Sequence, residues 1–331
     1  MPKLKCRAYH TFMMCDDCVS LNDRLRVAKT TEEKNRIWKQ KKLHIYLVKE
    51  ERFDYAQRIL LAKRHPELYL HLTVDGSDNS SYGFPHFAER THSSTKGHKV
   101  RSKLYAGILH GHFAACFTYA ANLRGGSNVQ VEITHQMLEL YLNDSPGNRL
   151  PSTLWLQLDN TVKDNKNRYV FAYAQMLVDS GLFQHVEINF LPVGHTHCDI
   201  DQLFSRISVH LYGSNCFDFK DLLRKCKKAS RMVKYVRRLF GFANWKDHLL
   251  THNLIVSGNS FGGFMKHRMF RFFRRPVKNA QGVVEDFETV FQMKKTVFHE
   301  HWTDLDQVID GNIKLAKKPL TFNNVFEVTL A

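Results

Sequence analysis

Residues 154–160 read Leu-Trp-Leu-Gln-Leu-Asp-Asn (LWLQLDN), a nearly continuous apolar run that ends in an acid. A strand at the centre of a sheet, covered on both faces, requires such a run. Downstream, the spacing predicts a helix over 165–180, with Tyr169, Ala172, Tyr173, Met176 and Leu177 on one side and Gly181 past its end. A second strand follows at 185–191, where Val186, Ile188 and Phe190 alternate with His185, Glu187 and Asn189 before Pro192. The block Gly-His-Thr-His-Cys-Asp-Ile-Asp (194–201) then leads into a short helix over 202–211, with Leu203, Phe204 and Ile207 on its inner side.

Upstream, Leu70, Leu72 and Val74 alternate with polar residues in a strand that ends at Asp75, before Gly76. Strand-like segments at 103–109 and 113–120, separated by His110, Gly111 and His112, fit a hairpin, and a helix is expected over 129–142. The order is βββαβαβα: a single mixed sheet with helices over it, an α/β fold.

The chain has 331 residues, 43% of them hydrophobic and 24% charged, with 17 Gly and 8 Pro, which excludes collagen-like and wholly disordered readings. Its 48 Lys and Arg against 32 Asp and Glu give a net charge of +16, which calls for an anionic partner. No apolar run approaches the roughly 18 residues that span a bilayer. The first residues lack the apolar block of a signal peptide, so the expectation is a nuclear protein, with cytoplasm as the alternative, neither secreted nor membrane-bound.

Three regions are expected. Residues 1–66 hold a Cys/His-containing segment and a long basic helix over 31–65, about 50 Å long at 1.5 Å per residue. Residues 67–212 form the α/β core, and residues 213–331 a basic C-terminal region. In the first region Cys6, His10, Cys15 and Cys18 lie within thirteen residues. Zinc accepts such ligands, but C-x2-C is usually half a site, so unligated thiols remain the alternative. In the third, nine Lys or Arg between Lys220 and Arg238 face one acid, Asp221, and six between Lys266 and Lys278 face none. Arg237 and Arg238, and Arg271, Arg274 and Arg275 with Phe270, Phe272 and Phe273 interleaved, suit contact with DNA phosphates and bases, the second segment being otherwise an amphipathic strand or helix with basic outer positions.

Asp75, Asp159 and Asp199 or Asp201 stand at comparable places, just at or beyond strand ends, where open α/β sheets form their sites. Singly, each is an ordinary cap or turn residue. Together they form a cluster that needs a cation, and their oxygens suit two Mg²⁺ or Mn²⁺ ions about 4 Å apart acting on a phosphodiester. H-x-H-x-D, from His195 through His197 to Asp199, supports a less favoured alternative, a zinc-dependent hydrolase. That template expects a further His after the Asp, and positions 200 and 201 are Ile and Asp.

The segments VDGSDNSSYGFPH (74–86), LWLQLDNTVKDNKNRYVFAYAQML (154–177) and FLPVGHTHCDIDQLFSRIS (190–208) resemble the RNase H-like domain of a broad eukaryotic family of transposon-derived proteins. The likeness runs from about Cys15 to Tyr212. It implies an RNase H-like mixed sheet and a transposase-like nuclease core of the three-acid kind, cutting or joining DNA through two metal ions. It places the acids at Asp75, Asp159 and Asp201, with Asp199 as a further metal ligand. Cys198 stands where an acid is often found. His195, His197 and Asn160 would support the site or carry protons, and Lys163 and Lys166, at the start of a helix, would hold a phosphate. The other function class is a catalytically silent, transposon-derived DNA-binding protein. A homo-oligomer is left open.

Overall fold

In the computed structural model, residues 15–77, 82–89, 98–123, 125–196, 198–251, 266–299 and 301–304 are described. They form a mixed α/β protein with seven helices and ten strands. The first described elements are α1 (Asp16–Val27) and the 34-residue α2 (Thr31–Arg64). Thr30 caps α2 by accepting the Glu33 N–H. The core follows as β1 (Tyr69–Gly76), β2 (Gly83–Phe84), β3 (Val100–Leu109), β4 (Phe113–Ala120), α3 (Ser127–Asp144), β5 (Thr153–Leu158), α4 (Arg168–Asp179), β6 (His185–Phe190) and α5 (Asp199–Tyr212). Then come α6 (Phe219–Ala229), β7 (Val233–Arg238), α7 (Trp245–Thr251), β8 (Met269–Lys278), β9 (Val284–Lys294) and β10 (Thr303–Asp304).

The sheet runs β10-β9-β8-β6-β5-β1-β3-β4-β7, with β2 paired to β3 off this path. At its centre β1, β5 and β6 are parallel, and β3 and β4 form the expected antiparallel hairpin beside β1. The described strands beyond Tyr212 do not stand apart from this sheet. Strand β7 extends it beside β4 in parallel, and β8 and β9 extend it beside β6 in antiparallel. The basic region is therefore split between the two ends of one sheet.

Strand alternation decides which face each side chain serves. Leu70, Leu72 and Val74 of β1 and Leu154, Leu156 and Leu158 of β5 enter the larger core beneath α3, α4 and α7. Phe270 and Phe272 of β8 join them, stacked around Phe171 of α4 and Phe291 of β9. These rings are core, which corrects the expectation that they stack on bases. On the opposite face Leu104, Ala106, Ile108 and Cys116 pack beneath α5 and α6. There β1 and β5 carry polar residues instead: His71 and Thr73 are buried beside Trp155 and Gln157. Helix α2 covers this strip, with Arg58 stacked over Trp155 and bonded to Glu187, and Tyr55 set edge-on to His71.

The first helix has little packing of its own. Its cluster comprises Leu21, Ala28 and Ile37, with Leu25 against it. A fully buried large apolar side chain contributes about 1.5–3 kcal/mol, while ordering each residue costs about 1–2 kcal/mol of backbone entropy. Of these three, Leu21 and Ile37 are large and Ile37 belongs to α2, a thin anchor for a helix of 12.

Candidate active site

The parallel pairing of β1 and β5 sets Thr73 opposite Gln157. Two residues further on, Asp75, still paired with Ala106 of β3, and Asp159, just past the end of β5, line the same pocket. Each aspartate folds back on itself: Oδ1 of Asp75 accepts the Gly76 N–H at 2.8 Å, and Oδ1 of Asp159 accepts the Asn160 N–H at 2.7 Å. Asn165 secures the second turn by donating to the Asp159 carbonyl. Asp201 arrives from the first turn of α5, and all three carboxylates line one pocket with Thr73, Gln157, Thr196 and Cys198.

The electrostatics are those of crowded acids. Burial and the neighbouring Asp159 and Asp201 push Asp75 up to about 7, against the opposing pull of the Gly76 N–H. Burial also raises Asp159; the Asn160 N–H opposes that rise, while Asp201 and Asp164 add to it. Asp201 has a second task, since its Oδ2 accepts the Cys198 N–H at 2.8 Å and closes the N-terminal turn of α5.

Asp199 faces other partners. Its two oxygens meet the Tyr55 hydroxyl and His110 Nε2, each at 2.5 Å. His110 in turn touches His71, with their Nδ1 atoms 3.0 Å apart. Burial works to raise the Asp199 carboxyl, but the His110 and Tyr55 bonds outweigh it and hold the group at about 2. Asp199 is thus an ionised carboxylate satisfied by protein donors, a correction to its expected place among the metal ligands.

Beside the acids lies a groove of about 330 Å³, lined by Asp75, Asp159, Lys103, Lys163, Asp164 and the Gly125–Gly126 turn at the start of α3. Lys163 lines this groove from the turn that precedes α4, not from the start of the helix, which begins at Arg168. Lys103, on the hairpin strand β3, carried no signal in the sequence. Lys166 does not face this groove, a second correction: its ammonium is buried, donates to the His267 carbonyl at 2.6 Å and to Asn160 Oδ1 at 3.2 Å, and lies over Phe190 and Phe270. Burial and nearby Arg268 lower it to about 8.

The arginines of the basic region are dispersed. Arg237 and Arg238 sit at the β7 end, where Arg238 stacks over Phe219. Arg271, Arg274 and Arg275 sit at the β8 end, where Arg271 lies over Trp302 and donates to Gln292, Arg274 lies over Phe287, and Arg275 pairs with Glu288. They do not form one patch, because β7 and β8 occupy opposite halves of the sheet.

A second constellation forms where α1, α2 and the β6–α5 loop meet. Among the described residues, the group of three or more metal-capable side chains whose ligand atoms all lie within 4.8 Å of one another is Cys15, Cys18, His44 and His195. Cys15 Sγ is 3.4 Å from His44 Nε2, Cys18 Sγ is 3.5 Å from His195 Nε2, and the two Nε2 atoms are 3.3 Å apart. This group could hold a metal such as zinc. Two of the four ligands expected from the sequence, Cys15 and Cys18, belong to it; Cys6 and His10 lie outside the described residues. His44 was missed because it lies 26 residues beyond Cys18, with no spacing rule joining them.

The same cluster parts the H-x-H-x-D motif. His195 turns to the cysteines, Asp199 turns to His110 and Tyr55, and His197 lies outside the described residues. The motif's first and last residues therefore do not converge on one hydrolase centre.

The fold and site thus define a mixed α/β protein with acids gathered at its central strand ends. A family model described as "Domain of unknown function (DUF7869)" matches residues 92–289, more than half of the chain, and the protein belongs to that family. The matched span holds Asp159, Asp201 and His195 but begins after Asp75 and the two cysteines. No curated protein and no solved structure matches the chain. Among the described residues no helix is long and apolar enough to cross a membrane.

Proposed function

We propose that this protein is a transposon-derived, RNase H-like nuclease or strand-transfer core that acts on DNA phosphodiesters, with Asp75, Asp159 and Asp201 as its acids. One observation carries the reading: three aspartates far apart in the chain line a single pocket, and the most buried of them is pushed up to about 7. Carboxylates held this close repel, and a divalent cation is the usual remedy. The strand order β4-β3-β1-β5-β6, with an antiparallel hairpin beside three parallel strands, supports the RNase H-like assignment.

The donor set is all oxygen, which fits Mg²⁺ or Mn²⁺; bound there, such ions would activate the attacking hydroxyl and offset charge on the leaving oxygen. The protein's own residues would do the rest. Lys103 and Lys163, which both line the adjoining groove, would attract the DNA backbone, and the amino end of α3 beside Gly126 would present N–H groups to a phosphate. Asn165 would keep Asp159 aimed by holding its carbonyl.

The test is a nicking and strand-joining assay on DNA with Mn²⁺, comparing the wild type with Asp75→Asn, Asp159→Asn and Asp201→Asn. Activity in the wild type and its loss in each variant is the expected result. A second reading, a catalytically silent DNA-binding protein, draws on the engagement of Asp201 with the Cys198 N–H. It prevails if the wild type neither nicks nor joins DNA while the triple variant binds DNA unchanged.

A further inference from the structure

We propose that Cys15, Cys18, His44 and His195 form a closed structural zinc site that fastens the α1–α2 hairpin to the loop between β6 and α5. The inference stands apart from the reading of the carboxylates.

Geometry is the first support. Around a tetrahedral ion with bonds of about 2.3 Å to sulfur and about 2.05 Å to nitrogen, sulfur and nitrogen ligands lie about 3.5 Å apart and two nitrogens about 3.3 Å apart. Two of the four sulfur–nitrogen separations are 3.4 and 3.5 Å, the two imidazole nitrogens are 3.3 Å apart, and all four ligand atoms lie within 4.8 Å of one another. Hydrogen bonding would satisfy these groups in pairs. It gives no reason for four ligand atoms from three parts of the chain to converge on one point.

The surroundings are the second support. His44 Nδ1 lies 3.7 Å from an Asp17 oxygen, so the nitrogen turned away from the cluster faces a carboxylate, the usual outer partner of a metal-bound imidazole. Cys15 stands at the N-cap position of α1 and Cys18 lies in the helix's first turn, so one short stretch of chain brings both sulfurs to the cluster. Two thiolates balance the charge of one Zn²⁺. Two sulfurs and two imidazoles fill the four positions, leaving none open for substrate, so the site is structural.

The third support is the path of the loop. Gly194 has φ +74°, and a Cβ there would lie 2.4 to 2.8 Å from the backbone N, Cα and Cβ of Cys15. The loop therefore passes against the start of α1 at a place where only glycine fits, and this delivers His195 to the cysteines. Arg52 of α2 holds the same turn by donating to the His195 carbonyl at 3.1 Å. The thin apolar contact of α1 explains what the metal does: it supplies the anchorage that Leu21, Ala28 and Ile37 do not.

The experiment measures metal in the full chain by plasma mass spectrometry and replaces zinc with Co²⁺ for absorption spectroscopy. One zinc per chain is expected, with the intense visible bands of tetrahedral cobalt and thiolate charge transfer. Cys18→Ser, His44→Ala and His195→Ala should each lose the metal, and Cys198→Ala should keep it. The proposal is overturned if the zinc-reconstituted wild type holds no stoichiometric metal, or if Cys6→Ser and His10→Ala abolish binding while His44→Ala and His195→Ala do not. Should the ligand variants fail to fold, the wild type still decides. Chelator extraction should cut amide-exchange protection at least tenfold in residues 16–27 and 193–199 while β1 and β5 keep theirs, and unchanged protection after zinc removal would sink the fastening role.

Discussion

The carboxylate pocket and the cysteine–histidine cluster lie within a few residues of each other in the 194–201 segment, yet they are built on opposite principles. The pocket gathers carboxylates from two paired strands of the sheet and from the first turn of a helix packed on it. The cluster takes soft ligands from two helices and a loop that no ladder of hydrogen bonds holds together. In the pocket the fold assembles the ligands; in the cluster, by our inference, the ligands assemble the fold. One should therefore lose activity but not structure when its ligands are removed, and the other structure before anything else.

The largest effect that could break this contrast is on catalysis. Asp159→Asn should lower DNA nicking by about 10³-fold, roughly the cost of one preorganised electrostatic group, while leaving the melting temperature in chelator unchanged or higher. A fall in both would mean that the aspartate is structural.

Next in size is a pH effect on stability. Asp75 is raised to about 7 from an ordinary 3.8, so the folded state holds its proton more tightly than the unfolded chain does. Its favourable contribution is full below about pH 4 and is lost as pH rises through 7. In chelator, Asp75→Asn should then stabilise the protein at pH 8, by a few kcal/mol at most at 1.36 kcal/mol per pKa unit, and do little at pH 4. Thermal unfolding across that range checks it, and a gain that is the same at both pH values would reject the crowded-acid account.

A sharper probe of the boundary between the two sites is Gly194→Ala. The added methyl meets the Cys15 backbone, so the variant should unfold several degrees lower and bind zinc more weakly. Zinc affinity equal to wild type would show that the loop can retreat. The smallest effect belongs to the groove. Lys103→Ala and Lys163→Ala should each weaken DNA binding modestly, to a similar degree across sequences, and reduce the salt dependence by about one counterion. An unchanged salt slope would remove that lysine from the DNA path.

Much of the centre of the molecule was legible in its pattern. The apolar run 154–158 and the alternation at 70–74 and 185–190 gave β5, β1 and β6, because a strand's burial is written with a period of two. The positions of the acids follow from the same pattern, since Asp75 lies in the last residues of β1, Asp159 follows β5 and Asp201 lies in the first turn of α5. The roles of His71, Thr73 and Gln157 were not legible. They share that period with Asp75 and Asp159, but a polar residue in a strand reads as solvent-facing until a helix such as α2 is known to cover it. The arginines of β7 and β8 misled for a related reason: charge density along a chain does not say to which end of a sheet each strand will be added.

By itself, then, the sequence determined the α/β class and the central strands, because local periodicity is a property of short segments. Only the tertiary structure decided that Asp199 would be claimed by His110 and Tyr55, that Lys166 would turn inward, and that Cys15 and Cys18 would find His44 and His195. Those partners come from distant parts of the chain, and a contact between remote segments is set by how whole elements pack, which no short stretch of residues encodes.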